Sequence, residues 1–211
     1  MQVEAKVVLI LDAASELYTC TRQLAAAGAT LVLHHEADVQ TLKDQARELH
    51  AHGHAPLPIL AELGEKVQRE ALFERIIKIC GRLDVLVQAP LPASAFLELT
   101  PAELQHELSS LSARLQSLRL AARVMPEGAQ LLFVDESPKD AYLAAAYRRY
   151  AAGVANTRNV SFRALSPAQL ELELSPKPAP TPAPAPIQPQ PFNPVRRWFG
   201  RRDVVVSMKD L

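Results

Sequence analysis

The chain has 211 residues, a formal net charge of zero, and a composition that is 48 % hydrophobic but only 5 % aromatic. That neutral balance argues against a chain-wide nucleic-acid surface, and no apolar run approaches the roughly 20 residues that a membrane span needs. The start, MQVEAKVVLILD, lacks a signal-peptide pattern, so a cytoplasmic protein is expected.

In chain order, Val7 to Leu11 is a continuous apolar run, as expected of a strand buried on both faces. After a turn at 12–15, Leu17 to Ala27 has helical spacing and Gly28 is a C-terminal cap. Thr30 to Leu33 reads as a second strand. Val39, Leu42, Ala46 and Leu49 define an amphipathic helix over 38–52. Leu57 to Leu60 is a third strand, and Val67, Phe73, Ile76, Ile77 and Cys80 mark a helix stopped by Gly81. Leu83 to Val87 is a fourth strand. Thr100, Pro101 and Glu103 form a helix start, with N-cap, N1 proline and N3 acid, and that helix runs to about Met125. A fifth strand (130–134), a helix (139–155) and a sixth strand (160–164) complete the body. Strands alternating with helices indicate an α/β fold: a Rossmann-like, doubly wound parallel sheet of six or seven strands.

The composition then changes. The body is expected over 1–174, a disordered Pro-rich linker over 175–194, and a basic aromatic peptide over 195–211. The linker should reach about 60 Å as an extended polyproline-like spacer. The last twenty residues carry four Arg and one Lys against two Asp, so the remainder of the neutral chain is acidic. Arg196, Arg197, Trp198, Phe199, Arg201 and Arg202 form a candidate docking motif for a protein partner. Val204 to Val206 could instead add a strand to a sheet edge, in the same chain or a second copy. Anionic lipid or nucleic acid is the least favoured ligand for this peptide. Cys20 and Cys80 fall on apolar helix faces and show no CxxC or zinc spacing. His50, His52 and His54 alternate, but at a helix end, where His suits the dipole better than a metal; no metal is expected.

Three phrases, VVLILDAASELYTCTRQLAAAGATLVL, GRLDVLVQAP and FLELTPAELQHELSSLSARLQSLRLAARVM, make residues 5 to about 165 resemble the short-chain dehydrogenase/reductase family. The resemblance implies a nicotinamide-dinucleotide fold and a homodimer through helices 100–125 and 139–155. It also locates departures. The family's TGxxxGxG turn corresponds to Leu11–Tyr18, which has no glycine; Asp12, Ser15, Glu16 and Tyr18 stand there. The acidic ribose-binding position falls near His35, and the NAG-type turn reads Gln88-Ala89-Pro90. The supporting Asn corresponds to Ser110, and the catalytic Ser to Asp135 or Glu136. No lysine follows Tyr142, Tyr147 or Tyr150 by four residues, and Arg148 and Arg149 are read as a solvated face. The expectation drawn from these departures is a non-catalytic scaffold or interaction protein that binds no cofactor. The alternative is a divergent NAD(P)-dependent oxidoreductase with Tyr142 or Tyr147 as proton donor, and a third reading is regulatory ligand binding in the cleft.

Overall fold

In a computed structural model of the chain, the structure describes residues 4–13, 17–88, 99–134, 141–166 and 168–170, apart from the side chains of 141–144. The elements are β1 (Val7–Leu11), α1 (Tyr18–Ala26), β2 (Thr30–His35), α2 (Val39–Ala51), β3 (Leu57–Leu60), α3 (Lys66–Cys80), β4 (Val85–Gln88), α4 (Pro101–Val124), β5 (Gln130–Val134), α5 (Ala141–Asn156) and β6 (Ser161–Leu165). All strand pairs are parallel, in the order β3-β2-β1-β4-β5-β6.

Alternation along β1 divides the core. Val7, Leu9 and Leu11 pack with residues of α3, α4 and α5, whereas Val8 and Ile10 pack with α1 and α2. Leu9, Ile10 and Leu11 have no exposed surface, and each such burial stabilises by about 1.5–3 kcal/mol relative to exposure. Helix starts are set locally. The Asp38 side chain accepts from the Gln40 and Thr41 N–H groups, and Thr100 and Glu103 form a reciprocal capping box. Gly81 ends α3 with φ 77°, a left-handed conformation that favours glycine.

At the amino ends of the strands the backbone is laced together. Asp84 Oδ2 accepts from the Val7 N–H at 2.9 Å, the Asp84 N–H donates to Val7 O, and Gln130 N–H donates to Asp84 O. The turns opening β2 and β6 are tied by Thr30 N–H to Lys6 O and Ser161 N–H to Ala129 O.

Two sequence expectations are corrected. Val67 is not on the apolar stripe of α3; it is 76 % exposed. Six residues separate it from Phe73, which turns it about 240° around the helix. The fourth strand begins at Val85 rather than Leu83, although Leu83 is itself buried. Among the described residues, no helix is long and apolar enough to cross a membrane.

Candidate functional site

Strand order reverses between β1 and β4, and in such sheets ligands bind beyond the carboxyl ends of the strands at that switch. Asp12 leaves β1 there with φ 55°, a left-handed conformation that Asp tolerates better than most residues but Gly adopts freely. Its carboxylate accepts from Arg114 Nη2 of α4 at 2.7 Å and lies 3.9 Å from His35 Nε2. Arg114 is almost fully buried, so α4 delivers a shielded guanidinium to the end of β1.

His34, fully buried on β2, is fixed by two contacts. Its Nδ1 accepts from the Asp12 N–H at 3.3 Å, and its Nε2 lies 2.8 Å from Ala61 O. Only the neutral tautomer with hydrogen on Nε2 satisfies both. Burial pushes its pKa down to about 4, against a weaker upward pull from Ala61 O and Asp12. Glu36 follows at the end of β2, half-buried, and burial, then the Asp12 carboxylate, raise its pKa.

Across the switch, Gln88 ends β4 and is 2 % exposed. Tyr147 of α5 donates its phenol hydrogen to Gln88 Oε1 and stacks its ring near Phe133, with centroids 4.6 Å apart. Burial holds the Tyr147 pKa well above the usual phenol value, so it keeps its proton. Gln88 Nε2, buried, has no hydrogen-bond partner among the described residues, an arrangement rare enough in native interiors to call for an explanation.

Among the residues singled out in the sequence, the structure brings together Asp12, His35 and Gln88 at the carboxyl ends of β1, β2 and β4. Tyr18 is not in the close contact against β1. Leu17 fills that contact with Val8 and Ile10, while Tyr18 lines a cavity of about 300 Å³ with Arg22, Leu49 and His54. Burial and the neighbouring Glu48 carboxylate push the Tyr18 phenol up to about 12. Ser15, Glu16, Ala89, Pro90, Asp135, Glu136 and the peptide of Arg196, Arg197, Trp198, Phe199, Arg201 and Arg202 lie outside the described residues. The sequence reading centred on Ser110 and missed Arg114, one turn further along α4. It also missed Glu36, whose signal was available as an acid 24 positions after Asp12, close to the spacing of a ribose-binding carboxylate. Along α4, Leu118 is core, Leu111 and Leu115 are partly buried, and Leu108 is 45 % exposed.

No family model and no curated protein matches the chain. Solved structures do match. A short-chain dehydrogenase from Burkholderia cenocepacia J2315 in complex with NADP is 18 % identical with a TM-score of 0.64, over 79 % of this chain and 75 % of that one. A blue fluorescent protein from a metagenomic library in complex with NADPH gives 19 % and 0.63 over 79 % and 75 %. A short-chain dehydrogenase from Mycobacterium smegmatis gives 20 % and 0.65 over 82 % and 85 %. The chain thus has the fold of the short-chain dehydrogenases/reductases, as the sequence resemblance implied. The same finding corrects the expectation of a non-catalytic scaffold or interaction protein. Among the matching structures are dehydrogenases and complexes with NADP or NADPH.

Proposed function

We propose, from the short-chain dehydrogenase/reductase fold of this body, that the chain is a divergent NAD(P)-dependent oxidoreductase whose cofactor lies across the carboxyl ends of β1, β2 and β4. The observation that carries the reading is Gln88, a buried amide at the switch point whose donor has no partner among the described residues. Three further features fit a dinucleotide. Glu36 would accept ribose hydroxyls, and its negative charge disfavours a 2′-phosphate, so NAD(H) is preferred over NADP(H). Among the described residues the first turn of α1 carries no side-chain cap, which would leave backbone N–H groups for a diphosphate. Arg114 would supply the positive charge that the turn's lost glycines cannot.

When bound, the nicotinamide supplies the hydride chemistry. The chain's own part is to orient it and to hold a proton. Tyr147 retains its phenol hydrogen on Gln88 Oε1 and so positions the amide rather than serving as the acid. The proton donor is then Tyr142, in the first turn of α5 at the crevice end of the helix.

A fluorescence titration with NADH and NADPH tests the reading. Saturable NADH binding in the micromolar range is expected, weaker for NADPH, with Glu36→Gln narrowing the difference between them. Absence of binding for both nucleotides up to millimolar concentration overturns it.

A further inference from the structure

We infer that the groove between the start of α3 and the second half of α4 is a binding site for the phosphate group of a small molecule, separate from the crevice. Lys66, Arg69, Arg119 and Arg123 line a cavity of about 180 Å³ there, with Glu70 as its one acid among the lining residues. Glu70 lies 3.9 Å from Lys66 and so faces one of the four cations. Arg119 and Arg123 are exposed, one turn apart on α4, and make no ion pair among the described residues. Like charges at that spacing repel.

Arg69 is the decisive residue. It is only 5 % exposed, yet its partners are all neutral. Nη1 donates to Leu63 O, Nη2 donates to Gln116 Oε1, and buried Nε has no partner among the described residues. Buried charges are ordinarily met by an opposite charge, and this one has no carboxylate among the described residues. A guanidinium held by neutral acceptors, flanked by two unpaired arginines, is complementary to a dianionic oxygen cluster. Arginine's planar fork suits phosphate better than a carboxylate-free surface explains. Lys66 strengthens the case, because it places a cation in the first turn of α3, where the helix dipole disfavours one and an anion would offset it. The site is independent of the crevice. Arg119 lies five residues beyond Arg114, about 140° around α4 from the side that meets Asp12.

The test is calorimetric titration of the full chain with inorganic phosphate and with glycerol 3-phosphate, against sodium chloride at matched ionic strength. Saturable binding of millimolar or tighter affinity is expected, and Arg119→Gln with Arg123→Gln should weaken it at least tenfold while leaving the NADH titration unchanged. Tighter binding of glycerol 3-phosphate assigns the site to phosphomonoesters; equal affinity assigns it to free phosphate. The inference is overturned if heat follows ionic strength alone, or if the doubly substituted chain binds as the parent does. Because both arginines are exposed, their replacement leaves the fold intact, and a thermal melt of the variant checks this.

Discussion

Tyr147→Phe removes a single oxygen and probes the pairing that places Gln88. The ring stack on Phe133 survives, since the centroids 4.6 Å apart do not depend on the hydroxyl. Gln88 Oε1 loses its donor, and Nε2 already has no partner among the described residues, so a fully buried amide is left unmatched at both ends there. Orphaning a buried acceptor costs about 1–3 kcal/mol. In a body of this size that lowers Tm by about 3–10 °C. Gln88→Leu in the same chain removes the amide altogether, and replacing both partners by apolar groups should return most of the loss. Urea unfolding of the parent, both single variants and the double variant should therefore give a coupling of about 1–2 kcal/mol. NADH titration of the four proteins separates stability from binding: the double variant regains its midpoint but not its affinity. A Tyr147→Phe protein as stable as the parent, or a double variant as unstable as the sum of the singles, refutes the reasoning.

Other predictions follow from the same physics. His34 has a folded pKa of about 4 against 6.5 for the free side chain, so the unfolded chain takes up the proton first as pH falls. Its contribution is fully present above pH 6.5 and declines between there and pH 4, by about 3 kcal/mol in all; urea midpoints at pH 7 and 4.5 measure the decline, and an imidazole resonance assigned to His34 that titrates near 6.5 contradicts it. Thr100→Ala removes the acceptor for the Glu103 N–H and one half of the capping box, costing about 1 kcal/mol in the same unfolding assay. Gly81→Ala meets nothing within 4 Å but must hold φ 77°, so a loss of about 1–2 kcal/mol is expected from backbone strain alone; a neutral result would mean that the helix end relaxes.

Much of the fold was legible because its signals are local. β1 and β5 are uninterrupted apolar runs, and a strand buried on both faces leaves that signature whatever its neighbours are. The start of α4 was readable from Thr100, Pro101 and Glu103, which act through bonds within one turn. Val67 was misplaced because it is apolar without facing anything, a fact that depends on helix phase relative to the sheet. The site was less legible. Asp12 and Gln88 could be found at strand ends, but Arg114 meets Asp12 across 102 positions, and no spacing rule links them. The absence of glycine after β1 was weighed as the loss of a cofactor. That weighing could not include a cation arriving from α4, or a buried amide whose nitrogen has no partner among the described residues. His34 and Glu36 were passed over because neighbouring His35 lay nearer the resemblance's landmark.

The lacing at the amino ends has a consequence for how such a chain can change. Val7, Asp84, Gln130 and Ser161 are anchored through main-chain or carboxylate bonds that no crevice side chain takes part in. The foundation and the workbench are thus at opposite ends of every strand. Side chains around the crevice can change, since even an aspartate holds the left-handed position after β1, while the sheet beneath keeps its register. Divergence at the rim and conservatism at the base are then what the architecture itself favours.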